Sequence, residues 1–276
     1  MSFYISLSGL KAAQSDLTTI SNNVANVSST AFKKSRAAFG DIFSSSALQT
    51  SGTVAGQGVR LNGLTQQFTQ GTLETTDKTL DLAITGEGFF TVATESGQIG
   101  YTRNGAFSLN EDRYIVDTTG SRIQALPVDA SGTVTSTAAA DLTDVQVPTS
   151  YTNAAGEVVD LSSLGISKTG LITATFADGT TQPLGSVALA SFPSQEGLRQ
   201  SGDAHWEANN DSGSAVYGTG ASGLFGTIQS GALERSNVDI TEELVALISA
   251  QRNFQANAKA IESASTMTQA IVNLRT

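Results

Sequence analysis

Apolar residues in the last forty positions, Asn237 to Thr276, recur at Ile240, Leu244, Leu247, Phe254, Ala258, Ile261 and Val272. Gln251, Ser265 and Thr268 fill the remaining places of the same row. A 3-4 spacing kept over so many turns predicts one long helix with a single apolar seam. The stretch has no Pro and no Gly, in a chain with 27 Gly. Asp239 is placed to cap its start, and Glu242 and Glu243 stand in the first turn, where the helix dipole favours negative charge. Arg275 stands at the far end, where positive charge is favoured. At about 1.5 Å per residue the helix is roughly 50 Å long, too long for a compact domain of its own to cover.

The opposite end carries a matching pattern. Phe3, Leu10, Leu17 and Val24 are spaced by seven, and Ser6, Ala13, Ile20 and Val27 form the second row of the same heptads. Residues 3–27 therefore read as a second amphipathic helix, with small and medium residues in its seam. Each helix alone could pack on a globular core. Two of them at the extreme ends, flanking a Gly-rich middle, predict a coiled-coil stalk from which the middle of the chain hangs.

That middle changes period. Leu82-Ala83-Ile84, Phe89-Phe90-Thr91-Val92, Leu171 to Phe176 and Val187 to Phe192 are strand-like runs. Turn signals separate them at Glu95-Ser96-Gly97, Ala130-Ser131-Gly132, Ala177-Asp178-Gly179 and Asp211-Ser212-Gly213. The predicted class is α+β, with long terminal helices and a mainly antiparallel β domain, sandwich-like or open-barrel, between them. The expected divisions are a stalk helix and turn over 1–39, a Ser/Thr/Gln/Gly-rich linker or arm over 40–75, the β domain over 76–235 and the second stalk helix over 236–276. A strand is expected in the arm near Val59 to Leu64.

Charge sharpens this picture. The chain of 276 residues has a formal net charge of −10. Residues 1–39 carry Lys11, Lys33, Lys34 and Arg36 against Asp16, a net of +3, and the last helix is close to neutral. The negative charge lies in the middle, which argues against nucleic acid as a partner. Nearly neutral ends suit helices that pack against copies of themselves. No apolar run approaches the length of a membrane span. The start lacks a basic and then apolar leader, so the expectation is a cytoplasmic protein or export without a cleaved signal. There is no Cys, which removes disulfides and thiolate metal sites.

Candidate chemistry is sparse. His205 is the one histidine, so any Ser-His-Asp catalysis or imidazole metal site would rest on it. No Gly-x-Ser-x-Gly elbow accompanies it. The pairs Glu111-Asp112 and Glu242-Glu243 are adjacent in sequence, at a turn and a helix start, and read as solvated charge. Thr85-Gly86-Glu87-Gly88 lacks the Lys-Ser/Thr ending of a phosphate loop. Trp206 reads as a core anchor. No cofactor and no metal is expected.

Between the first helix and the β region stands Asn22-Asn23-Val24-Ala25-Asn26, then Phe32-Lys33. This run resembles the signature of the flagellar rod and hook family of axial proteins. Further motifs follow in the family's order: Leu80 to Phe90, with Gly86, Gly88 and Phe89; Tyr101 to Phe107; Gly231 to Asp239; and Ala250-Gln251-Arg252-Asn253-Phe254. Gly86, Gly88, Gly105 and Gly120 are expected to supply positive φ or close backbone approach. The family pattern usually has Gly before the Phe, where this chain has Ala31, and often an acidic residue where this chain has Ser265.

The resemblance implies a self-assembling structural subunit, not an enzyme. Its stalk seam would include Phe3, Leu10, Leu17, Ile20, Val24, Leu244, Leu247, Phe254 and Ile261. It implies many copies of the same chain as partners, together with rod, hook-cap and hook–filament junction proteins and the flagellar type III export apparatus. The two chain ends look more like a hook protein. The short middle, without room for a further outer domain, fits a minimal hook subunit or a distal rod subunit. Two readings from other classes are an adhesive β module with a helical oligomerisation stalk and a cleft near Trp206 and Tyr217, and a hydrolase built on His205.

Overall fold

The computed structural model describes residues 2–42, 56–94, 96–152 and 156–273. Ser44-Ser45-Ser46 and Thr50-Ser51-Gly52 of the expected arm, Glu95 and Arg275 lie outside them. The chain forms two compact units. The first comprises Met1–Ser28, Lys33–Gln67 and Val238–Thr276, and the second Ser29–Phe32 and Phe68–Asn237.

The first unit holds two helices, α1 (Ser2–Ala25) and α2 (Ile240–Asn273). Asp239 caps α2: its Oδ1 accepts the N–H groups of Thr241 at 2.8 Å and Glu242 at 3.2 Å. The first helix stops two residues before the expected Val27. Asn26 folds back on it, donating Nδ2 to the Asn22 carbonyl at 3.0 Å, a side-chain bond that competes with helix continuation. The helices run antiparallel, since Gly9 lies against Asn257 while Asn23 reaches Glu243. Two strands, β1 (Ser35–Asp41) and β2 (Val59–Gln66), pair antiparallel with a bulge between Ala38 and Phe39. Ser8 Oγ accepts the Val59 N–H at 3.2 Å, which fixes β2 to α1.

The second unit is β structure, and every strand pair in it is antiparallel. The main sheet orders its strands as Ser150–Thr152, Val158–Ile166, Leu171–Phe176, Thr181–Val187, Arg122–Leu126, Phe89–Ala93, Ile99–Thr102, His205–Glu207 and Arg199–Gly202. Phe89 and Phe90 are neighbours on one strand, so they face opposite sides of it. Phe90 joins Leu82, Ile84, Ile123, Val187 and Ile228 in one apolar cluster. Phe89 joins Tyr101, Phe192, Leu198 and Trp206 in another. Trp206, 1% exposed, is the core anchor the sequence suggested. Gly105 supplies close approach: a Cβ there would lie 1.7 Å from the Leu82 carbonyl oxygen. Gly86 and Gly88 have φ of +112° and +125° and set the turn before Phe89.

Candidate assembly site

The family-motif residue Asn23 sits at the centre of the first unit. It is 2% exposed. Its Oδ1 accepts the Ser35 N–H and its Nδ2 donates to the Ser35 carbonyl, both at 2.9 Å. Nδ2 also reaches Glu243 Oε2 at 3.2 Å. One buried amide thereby joins α1, β1 and the first turn of α2. Beside it is a polar groove of about 420 Å3 lined in part by Asp16, Lys34, Arg36 and Glu242. Burial pushes the Asp16 carboxyl up from its ordinary value, and the Arg36 charge pulls the other way. Lys34 pairs with Glu242 at 3.3 Å. Of the other motif asparagines, Asn22 is exposed and Asn26 half-buried.

The helix contact draws on part of the expected seam. In α1, Ile20 and Ala13 are buried, Leu10, Leu17 and Val24 are half-buried, and Phe3 is exposed. In α2, Leu247, Phe254 and Ile261 are half-buried. Their companions are Glu243, Ala250, Asn257, Ala258 and Ala264, and not Leu244, Gln251 and Ser265. Both rows have 4-3 spacing. The row that turns inward carries Glu and Asn, because Asn23 and the missing side chain of Gly9 accommodate them. Leu244, Gln251 and Arg252 are exposed, as are Ile240, Val245 and Ile248. The register set by Gly9–Asn257 and Asn23–Glu243 brings the start of α1 opposite Ala264. Beyond it, Ser265 to Asn273 are all exposed, with Met267, Ile271 and Val272 among them.

In the second unit the motifs meet around Glu234, which is fully buried. Its Oε2 pairs with Arg103 at 3.4 Å, its Oε1 accepts the Gly71 N–H at 2.9 Å, and its backbone carbonyl accepts the Ala31 N–H at 2.8 Å. Arg103 is 2% exposed and lies 5.2 Å from the centre of the Phe89 ring. Burial lowers the Arg103 pKa from its ordinary value, with Glu234 opposing. Ala31 has a φ of +56°, the left-handed conformation that a Gly takes without strain. Phe32, next to it, is half-buried, and its carbonyl accepts the Asn237 N–H at 3.3 Å. Arg103 and Glu234 lie inside the motifs Tyr101 to Phe107 and Gly231 to Asp239. The signal that marks each is a charged residue inside an otherwise apolar or Gly-rich run.

His205 uses both ring nitrogens, Nε2 with Asp117 Oδ2 at 2.6 Å and Nδ1 with the Asp203 carbonyl at 2.9 Å. Neither nitrogen is left to take a proton from a serine. Glu111 and Asp112 are exposed. Among the described residues no cluster of metal-ligating side chains forms, and no helix is long and apolar enough to cross a membrane. What these sites offer is interlocked packing and exposed apolar helix surface, the properties of a structural subunit.

Comparison with known proteins agrees. The family described as "Flagella basal body rod protein" matches residues 3–33. "Flagellar hook protein FlgE/F/G D1 domain" matches 83–174, and "Flagellar basal body rod FlgEFG protein C-terminal" matches 229–274. The flagellar hook protein FlgE of Escherichia coli (strain K12) is 28% identical over 411 residues, covering 100% of both chains. The flagellar basal-body rod protein FlgG of Buchnera aphidicola (subsp. Acyrthosiphon pisum) is 34% identical over 286 residues, covering 99% of both. That of Bacillus subtilis (strain 168) is 33% identical over 287 residues, covering 99% of this chain and 98% of the other. The chain belongs to the flagellar rod and hook family, the structural axial proteins of the flagellum.

Proposed function

We propose that this chain is a hook subunit that polymerises into the helical tube carrying motor torque to the filament. The observation that carries the reading is the exposed apolar surface of α2, from Ile240, Leu244, Val245 and Ile248 to Met267, Ile271 and Val272. A helix of 34 residues that leaves such a surface uncovered gains burial when copies of the chain approach it. A coiled-coil stalk, completed by neighbours, follows from the 3-4 spacing. A head-to-tail contact that does not close builds a helical polymer, not a ring. In this reading the polymer is bounded by rod, cap and junction proteins, and the chain leaves the cell unfolded through the flagellar export apparatus.

Hook and rod relatives match this chain comparably. The alignment with the hook protein runs to 411 positions, far beyond the 276 residues present here, so many positions face a gap. The rod reading rests on a different observation: the rod proteins align over 286 or 287 residues, almost without length difference. Electron microscopy of purified hook–basal bodies, with antibody to this chain, separates the two. Label on the curved segment outside the envelope is the expected result. Label confined to the straight segment within it establishes the rod subunit instead.

A further inference from the structure

The ring of His205 lies between two acceptors. The carbonyl oxygen of Asp203 stands 2.9 Å from Nδ1, and the carboxylate oxygen Oδ2 of Asp117 stands 2.6 Å from Nε2. Neither oxygen has a proton to give while Asp117 is ionised. A neutral imidazole has one N–H, so it satisfies one oxygen and turns a lone pair toward the other. Only the imidazolium donates to both. The pair is shielded from water, with the His205 side chain 12% exposed and that of Asp117 1%.

The anion is equally well held. Asp117 Oδ1 accepts the N–H of Thr119 at 2.8 Å, the N–H of Ser121 at 2.9 Å and the Thr119 hydroxyl at 2.7 Å. With three donors on one oxygen and the imidazole on the other, a proton on the carboxyl would displace a bond. Burial alone would push the Asp117 carboxyl up, but its bonds to His205 and Thr119 outweigh burial and hold it below the ordinary value. Burial would likewise push His205 down. Its bond and charge pairing with Asp117, helped by Asp203, outweigh that and hold it up.

The pair joins two parts of the β unit that are distant in sequence. His205 opens the strand His205–Glu207, which pairs with the strand Ile99–Thr102 through His205↔Thr102 and Trp206↔Tyr101. Trp206 anchors one of the two core clusters. Asp117 opens the turn that leads through Ser121 into the strand Arg122–Leu126. The other charged side chains around the imidazole are Asp203 and Glu207, which line the same pocket of about 230 Å3. Glu207 is paired with Arg199. The remaining polar groups in that pocket, Thr94, Gln98, Thr119, Ser121 and Ser201, do not titrate in this range.

We infer that His205 is an imidazolium clasp, which donates from both ring nitrogens to lock the Trp206 strand to the Asp117–Ser121 turn and opens as pH rises. The pH dependence has a definite sign. A histidine whose folded-state value is raised contributes its full stability below the unfolded value, about 6.5, and loses it as pH rises through the higher folded value. The β unit therefore loosens on the alkaline side. The Asp117 side of the pair fails only in acid, below the ordinary carboxylate value of about 3.9.

The chain has one His and one Trp, which makes the test clean. The full chain, with its histidine isotopically labelled, is titrated by NMR. The expected midpoint lies above about 6.5, and D117N is expected to lower it by a unit or more. A midpoint at or below the ordinary value in the unmodified chain, or one that D117N leaves in place, overturns the inference. If D117N does not fold, H205Q is compared with the unmodified chain by urea unfolding, read from Trp206 fluorescence at pH values on both sides of neutrality. The unmodified chain is expected to lose denaturant resistance on going alkaline more steeply than H205Q. Parallel pH profiles overturn the inference.

Discussion

Asn23 pairs with Ser35 as one strand residue pairs with another, its side-chain amide accepting the N–H and donating to the carbonyl at 2.9 Å each. The helix α1 thus carries a substitute for a backbone group at the start of β1. The arrangement has a direct consequence. Asn23→Ala leaves two part-buried backbone groups of Ser35 and one oxygen of Glu243 without that partner, at a cost of about 1–3 kcal/mol. Asn23→Asp turns a donor into a second carboxylate beside Glu243 and is expected to cost more at neutral pH than in acid. Urea unfolding gives the magnitude, and hydrogen exchange at the Ser35 amide shows whether the loss is local to β1.

Ala31 occupies a left-handed conformation, at φ +56°, with its methyl fully buried. The backbone strain of such a residue is about 1–2 kcal/mol. Ala31→Gly relieves it but frees the unfolded chain by about 0.4–1 kcal/mol and gives up a buried methyl worth about 0.8 kcal/mol. The terms nearly cancel, and the expected outcome is a Tm within a few degrees of the unmodified chain. Ala31→Val is expected to lower Tm clearly, since a branched side chain suits that conformation poorly.

Arg103 and Glu234 stand at 2% and 0% side-chain exposure and 3.4 Å apart. Removing one partner leaves the other charge buried. Glu234→Ala is therefore expected to destabilise the β unit by about 3–5 kcal/mol. The pair R103M with E234Q, which leaves no charge behind, is expected to recover most of that loss. A double-mutant cycle by chemical denaturation separates pair energy from desolvation.

Gly105 is required by space. A Cβ there would meet the Leu82 carbonyl oxygen at 1.7 Å, and Leu82 is held in place by its pairing with Ser230 across the strands Leu82–Thr85 and Thr227–Ser230. Gly105→Ala is expected to cost about 1–3 kcal/mol, as overpacking does. Thermal unfolding followed by near-UV signal of the aromatic core checks it.

Much of this architecture was legible in the chain. Both terminal helices, the Asp239 cap and the antiparallel β middle follow from periodicity and turn residues alone. The Asn23 motif and Gly86-Glu87-Gly88 could be located, but not what they touch. Local pattern cannot reveal that Asn23 reaches residues 35 and 243, because the partners are set by the tertiary path. The inward row of α2 is only partly legible for a related reason. Hydrophobicity favoured Ile240 and Leu244, whereas the inward row includes Glu243 and Asn257, polar residues that are accommodated only because Asn23 and Gly9 face them. The Arg103–Glu234 pair joins segments 131 residues apart, beyond the reach of any spacing rule.

The account rests on the outer row of α2 as the surface through which copies assemble. The most direct test is polymerisation of purified chain, followed by sedimentation and electron microscopy, with Leu244 and Ile248 both changed to Asp. These residues are exposed in the single chain, at 46% and 49%, so the variant is expected to keep the unfolding profile of the unmodified chain. It is expected to form no tubes under conditions where the unmodified chain does. Tubes of normal yield and length from the doubly substituted chain would contradict the account.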